Sequence, residues 1–332
     1  MRASLLPLIL SPLLAFANDA VPAFNPSIER LDPAFDLLVA PEAQVEKLAD
    51  GFTWSEGPLW YRGSVLFSDV PENVIYCWSP GDTRAAVFLK HSGLLQAHQG
   101  AYAQGSNGLG LDANGRLLIC QHGERRIARL EQSGQQTPIA DHFEGKRFNS
   151  PNDLAVRKNR DIYFTDPPYG LTGLDESPLK ELDSNGVYRV TPEGIVSLLI
   201  GNLSFPNGLA FSPDEKILYV SVSDSTAPRI MAYEVAQDGS LAHGHVFFNA
   251  QALQNVERKG LPDGVKVDAR GNVFATGPGG VLVISKDGKH LGSILTGQPT
   301  SNCCWGDDGS TLYITANMFL CRLKTSTKGA GF

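Results

Sequence analysis

The sequence predicts an all-β fold, a six-bladed β-propeller, from three observations. One strand–turn–strand phrase recurs six times, helical periodicity is nearly absent, and turn-forming dipeptides are spread along the chain. The copies begin 39 to 56 residues apart, close to the roughly 40–50 residues of a four-stranded propeller blade. An open β-sandwich would also contain many short strands, but it would not repeat one phrase six times.

The clearest copy of the phrase lies between Asn152 and Asp166. Two runs rich in β-branched and aromatic residues flank a short polar turn there, which is the pattern of a hairpin. Similar runs between the copies, such as residues 126–130, 186–190, 229–233 and 280–284, are expected to form third strands, and residues 195–199 a fourth strand. The six copies begin at Glu56, Asn107, Asn152, Asn207, Asp263 and Asn302.

The first residues of the chain resemble a secretory signal. Arg2 precedes an apolar stretch over residues 5–16, and Ala15 and Ala17 give a small-x-small cleavage pattern. A membrane anchor is the alternative, but this stretch is too short to span a bilayer and contains two prolines. We therefore expect a signal peptide over residues 1–17, one propeller domain over residues 18–332, no membrane span in the mature chain, and a secreted or periplasmic location.

Charge and cysteine usage narrow the functional classes. The net charge of −7 and the scattered basic residues argue against nucleic acid or an anionic membrane as partner. The five cysteines contain no C-x-x-C pair, so no zinc spacing is present. In an exported protein two of them could form a disulfide, and the odd count leaves at least one thiol free. No protein partner is implied.

The first residues of the six copies are the candidates for a functional site. In a propeller the innermost strand of each blade runs along the central channel, so these side chains are expected to ring the axis at one mouth. All six are carboxylates or carboxamides. Hard oxygen donors of this kind suit Ca²⁺, with Mg²⁺ and Mn²⁺ as alternatives, whereas Zn²⁺ and copper prefer histidine or thiolate. We expect one divalent metal ion, with Ca²⁺ favoured and with Mg²⁺, Mn²⁺ or Zn²⁺ as the alternatives.

A simpler interpretation is that Asn-Gly and Asp-Gly serve only as turn dipeptides with positive φ. Two features weaken it. Proline precedes Asn152, Asn207 and Asp263, which fixes the approach of the chain, and Glu56 is a poor turn former.

Several segments together resemble the SMP-30/gluconolactonase family. They are residues 55–60, 150–153, 164–171, 206–208 and 262–264, and the resemblance extends from about residue 45 to 320. It implies a six-bladed propeller that uses a divalent cation, usually calcium, to hydrolyse a lactone to a hydroxy acid. It also implies four metal ligands, Glu56, Asn152, Asn207 and Asp263.

The sequence also suggests residues that act on the substrate, a small lactone. We expect Asp263 to be catalytic, positioning or deprotonating a water, with a nucleophilic role as the alternative. Candidate substrate-binding residues lie at the predicted mouth: Asn107, His122, Arg147, Asn149 and Asn302. Asp166 and Asp69 close second strands at matching offsets, and Asp69 is expected to be structural. The loops over residues 171–185 and 249–260 are expected to determine which lactone fits.

Other functional classes remain open. The absence of a G-x-S-x-G motif leaves a serine triad unsupported. A phosphotriesterase would use the same cation and would favour a more apolar pocket rim. A non-catalytic ligand-binding propeller would be expected to lose some of the six first residues, and here all six are present.

Overall fold

A computed structural model describes residues 24–96 and 105–332, so the predicted signal peptide lies outside the described residues. Two strands and a 3₁₀ helix precede the first blade: β1 (Ser27–Arg30), the helix Pro33–Leu37, and β2 (Glu46–Asp50). Blade 1 contains β3 (Ser55–Tyr61), β4 (Ser64–Asp69), β5 (Val74–Trp78) and β6 (Ala86–Lys90). Blade 2 contains β7 (Ser106–Leu111), β8 (Leu117–Gln121), β9 (Arg126–Leu130) and β10 (Gln136–Ala140).

A small hairpin, β11 (His142–Phe143) and β12 (Lys146–Arg147), leads into the second half of the chain. Blade 3 contains β13 (Leu154–Val156), β14 (Ile162–Asp166), β15 (Asn185–Val190) and β16 (Val196–Leu203), with a 3₁₀ helix at Leu174–Glu176. Blade 4 contains β17 (Pro206–Phe211), β18 (Ile217–Val222), β19 (Arg229–Val235) and β20 (Leu241–Asn249), followed by a 3₁₀ helix at Gln251–Leu253. Blade 5 contains β21 (Val265–Val267), β22 (Val273–Gly277), β23 (Gly280–Ile284) and β24 (His290–Leu295). Blade 6 contains β25 (Asn302–Gly306), β26 (Thr311–Ala316) and β27 (Phe319–Lys324).

The predicted six-bladed all-β propeller is confirmed. Each copy of the phrase forms the first two antiparallel strands of its blade, and the runs predicted as third and fourth strands take those places. The six first residues of the copies stand at or just before the start of the innermost strands. They therefore meet at one mouth of the channel.

The ring is closed by strands that the repeat did not predict. Strand β2 pairs with β27 and supplies the outermost strand of blade 6, with Glu46 opposite Arg322. Strand β1 pairs with β24 as a fifth strand on blade 5, with Glu29 opposite Ser293. Both pairings join the two ends of the chain, so they fix the circular order of the blades.

Apolar packing between neighbouring blades forms the core. Phe274 of blade 5 packs edge-on against Trp305 of blade 6, with ring centroids 4.9 Å apart, and both side chains are buried. Because alternate residues of a strand face opposite sides of its sheet, each blade offers one such apolar set to each neighbour.

The five cysteines are all unpaired, so the disulfide left open by the sequence is not formed. In the described parts of the chain, no helix has the length and apolar character needed to cross a membrane.

Candidate metal centre and its pocket

One cavity of about 380 Å³ opens at the mouth where the innermost strands begin. Five of the six first residues line it, one from each of five blades: Glu56, Asn107, Asn152, Asn207 and Asp263. The remaining lining residues are Trp54, Val70, His122, Tyr169, Ser223, Gly260, Leu261, Pro299 and Thr300. The structure therefore brings together all four ligands implied by the family resemblance.

Four oxygen atoms in this cavity are buried without a hydrogen-bond partner. They are the Oδ1 atoms of Asn107, Asn152, Asn207 and Asp263. An unsatisfied buried acceptor costs about 1–3 kcal/mol, and such atoms are rare in folded proteins. Several such oxygens lining one cavity could together bind a cation that accepts oxygen ligands.

The glycines that follow two of the candidate ligands let neighbouring blades approach each other closely. A Cβ atom on Gly208 would lie 2.3 Å from the Asp263 carbonyl oxygen, and one on Gly57 would lie 2.2 Å from the Asn107 carbonyl oxygen. Of these two glycines only Gly57 has a positive φ. The turn interpretation therefore fails at Gly208, where glycine is required by space and not by φ.

Burial disfavours the ionised forms of two carboxyl groups of the candidate site, Glu56 and Asp263. The pKa of Glu56 is raised to about 7, mainly by burial. A hydrogen bond from the Gly57 amide opposes this increase, and the charge of nearby Asp153 adds to it. Burial, followed by the charge of Glu56, raises the pKa of Asp263 well above its usual range. A bound cation would stabilise both carboxylates, since an opposite charge favours the ionised form.

A polar network lies behind the candidate ligand Glu56 and contains no residue that lines the cavity. Asn302 donates through Nδ2 to Glu56 at 3.3 Å and to Asp153 at 3.2 Å. Asp153 in turn lies 3.9 Å from the Lys266 ammonium group. Asn302 therefore orients Glu56 and is not among the residues that line the cavity. Asp153 and Lys266 were not predicted from the sequence.

The donor set suits a hard cation. Across residues 24–96 and 105–332, no group of three or more His, Cys, Asp or Glu side chains is arranged to hold a metal ion. The candidate site combines only two carboxylates with carboxamides, which match Ca²⁺ or Mg²⁺ better than a soft metal.

Two buried aspartates hold the loops that lead into the candidate ligands Glu56 and Asn152. Asp166 accepts hydrogen bonds from the backbone amides of Asn149 and Ser150, at 2.7 and 2.8 Å. Asp69 accepts from the amides of Thr53 and Trp54 in the same way, at 3.0 and 3.1 Å. The structural role expected for Asp69 is consistent with this geometry.

The predicted substrate-binding residues separate into two groups. Asn107 and His122 line the cavity. The Arg147 guanidinium donates to the Glu124 carbonyl, and the Asn149 amide donates to the carbonyls of Asp166 and Ser184. Arg147, Asn149 and Asn302, the other predicted substrate-binding residue, are not among the lining residues.

Ser223 and Tyr169 line the cavity and were not predicted. Ser223 accepts a hydrogen bond from Asn207 Nδ2 at 3.0 Å and donates to the Pro262 carbonyl at 2.6 Å. It therefore links the candidate ligand Asn207 to Pro262, the residue before Asp263, and fixes the Nδ2 side of the Asn207 amide. The Tyr169 ring stacks on Phe205 with centroids 5.7 Å apart. Tyr169 lies in the proline-rich run of residues 166–171, and this motif could have been used to predict a residue of the site.

Comparison with known proteins decides the family. The model for the SMP-30/gluconolactonase/LRE-like region matches residues 54–318. The chain belongs to the SMP-30/gluconolactonase family. The resemblance drawn from the motifs is thereby confirmed.

Relatives within and around the SMP-30/gluconolactonase family cover most of the chain. A gluconolactonase of Zymomonas mobilis is 40% identical over 316 residues, covering 91% of this chain and 87% of the relative. A solved gluconolactonase of Xanthomonas campestris is 33% identical with a TM-score of 0.77, covering 92% of this chain and 99% of that one. Regucalcin from Agrobacterium tumefaciens, described as a calcium-binding protein, shares the fold at 18% identity and a TM-score of 0.66, covering 87% of this chain and 96% of that one.

Proposed function

We propose that this protein is a gluconolactonase-like lactonase that opens a small sugar lactone to a hydroxy acid. The four unpartnered oxygens beside Glu56, in a cavity at the mouth of the propeller, are the observation that carries this proposal. Membership in the SMP-30/gluconolactonase family and similarity to a gluconolactonase of Zymomonas mobilis over 91% of the chain support the choice of a lactone.

Glu56, Asn152, Asn207 and Asp263 would hold the cation, which we propose to be Ca²⁺. When bound, the cation would supply Lewis-acid polarisation of the lactone carbonyl. The neutral amide ligands limit the charge of the site, so two carboxylates balance a divalent ion. Asn107, with its own unpartnered oxygen, would serve as a further ligand or contact the substrate.

The chain's own groups would carry the proton chemistry. Asp263 lies in the cavity with one carboxyl oxygen free of protein donors, so it can position a water and accept its proton. Attack of Asp263 on the carbonyl carbon is the alternative. His122 and Tyr169 line the wall and would orient the hydroxyl groups of the lactone.

Phosphotriester hydrolysis is the second candidate, and one observation favours it. The cavity walls carry Trp54, Val70, Leu261 and Pro299, which are more apolar than the histidine, arginine and asparagine rim expected from the sequence. An apolar wall would suit the ester substituents of a neutral phosphotriester.

Hydrolysis of glucono-δ-lactone by the purified protein, followed by acid release, tests the proposal. We expect turnover that chelator removes and Ca²⁺ restores. Asp263→Asn should lower kcat by roughly 100-fold or more, and Gly201→Ala, far out on β16, should behave as wild type. Hydrolysis of a phosphotriester without lactone turnover would favour the second candidate, and full chelator-insensitive turnover would contradict the cation.

A further inference from the structure

The loop over residues 250–262 carries the chain from the outer edge of blade 4 back to the axis. Its last part contributes Gly260 and Leu261 to the cavity wall. Asp263, a candidate ligand, lies two residues after Leu261. The position of this loop therefore sets the width of the cavity beside the candidate metal centre.

The N-terminal strand β1 reaches this loop through an ion pair. Arg258 Nη2 donates to Glu29 Oε1 at 2.5 Å, and Ser293 on β24 donates to Glu29 Oε2 at 3.2 Å. The Glu29 and Arg258 side chains are only 29% and 20% exposed. Exposed ion pairs contribute little to stability. This pair is half-buried and Ser293 also binds its carboxylate, so the orientation of the Glu29 side chain is fixed.

The backbone passes this restraint on to the cavity wall. The Lys259 carbonyl accepts a hydrogen bond from the Gly279 amide at 2.9 Å. The Arg258 side chain covers Gly279 so closely that a Cβ there would lie 3.3 Å from Arg258 Cγ. Gly260 follows with φ +103°, a conformation open mainly to glycine, and a Cβ there would lie 3.2 Å from the Gly277 carbonyl oxygen.

We propose that Glu29 and Arg258 are positioning residues, through which the N-terminal strand β1 sets the substrate-facing wall at Leu261. The pair lies outside the cavity and touches none of the candidate ligands. Its kinetic consequence rests on the proposed lactonase activity. Because Leu261 would contact the lactone equally before and during reaction, loosening it should weaken binding without slowing the chemical step.

The experiment compares Glu29→Gln and Arg258→Gln with a matched control on the same strand, Arg30→Gln. Arg30 donates to the carbonyls of Val39 and Ala40 and to Asp36, so its loss disturbs the N-terminal segment without touching the loop. Hydrogen exchange of the peptide covering residues 255–262 is measured in every variant. KM and kcat for glucono-δ-lactone are measured alongside, together with the exchanged-charge double variant E29R/R258E.

We expect Glu29→Gln and Arg258→Gln to speed exchange over residues 255–262 and to raise KM about threefold to tenfold, with kcat within about twofold of wild type. The double variant should recover much of both losses, and Arg30→Gln should change neither. Exchange and KM that are unaltered in Glu29→Gln, or altered equally in Arg30→Gln, would overturn the inference. If the wild-type protein hydrolyses no lactone, the proposed function fails, and the exchange comparison still decides the role of the pair.

Discussion

Replacing Gly208 by alanine should damage the candidate metal centre without changing the side chain of any candidate ligand. An ideal Cβ on Gly208 would lie 2.3 Å from the Asp263 carbonyl oxygen and 2.6 Å from the Gly264 Cα. Close C···O contacts are about 3.3 Å, so the blade 4 and blade 5 strands must separate by about 1 Å. Both obstructing atoms belong to the backbone, so no side-chain rotation relieves the clash.

That separation moves Asn207 away from Asp263. A misplacement of about 1 Å can cost roughly 100-fold in rate, and overpacking costs about 1–3 kcal/mol of stability. We expect calcium affinity, measured by isothermal titration calorimetry, to fall at least about tenfold, with a corresponding loss of lactone turnover.

The control is Gly201→Ala on β16. A Cβ there would meet its nearest atom, Leu198 Cδ2, at 3.2 Å, and this flexible side chain can move. Thermal unfolding of both variants separates loss of the site from loss of the fold. Calcium affinity and turnover in Gly208→Ala equal to those of Gly201→Ala would refute the close-approach argument.

Two further predictions concern residues around the candidate ligands. Ser223→Ala removes the hydroxyl that joins Asn207 Nδ2 to the Pro262 carbonyl. The loss of one hydrogen bond, about 1–1.5 kcal/mol, should lower calcium affinity about tenfold, and unchanged affinity in calorimetry would argue against this role. Burial raises the pKa of Asp166 from 3.8 to about 7, so between about pH 4 and 7 the folded protein keeps a proton that the unfolded chain releases. In chelator, the free energy of unfolding of the wild type should therefore fall relative to that of Asp166→Asn as pH rises through that window, by at most about 4 kcal/mol. If thermal unfolding of the two proteins changes with pH in the same way from pH 4 to 8, the raised pKa is contradicted.

The inner strands and the ring of oxygen donors could be predicted from the sequence because both depend on local patterns. The phrase that begins at Asn152 carries its own strands and turn, and its repetition implies the rotation that brings the first residues of the copies together. The closure of blade 6 could not be predicted in this way. Strand β2 pairs with β27 across almost the whole chain, as Glu46 with Arg322, and neither sequence carries the repeated phrase.

Side-chain direction limited the prediction of the site. Arg147 and Asn149 stand close to Asn152 in sequence, yet their hydrogen bonds point them to the Glu124 and Asp166 carbonyls. Ser223 was missed although it follows the second strand of its blade, as His122 does in blade 2. Its role depends on Pro262 in the neighbouring blade, which no pattern within one repeat can show.

A crystal structure of the protein grown with Ca²⁺ tests the central claim most directly. We expect one ion on the propeller axis, about 2.3–2.6 Å from oxygens of Glu56, Asn152, Asn207 and Asp263, and its loss in Glu56→Gln crystals grown at the same calcium concentration. Four oxygens still without a partner in the presence of Ca²⁺, or an ion bound elsewhere on the propeller, would contradict it.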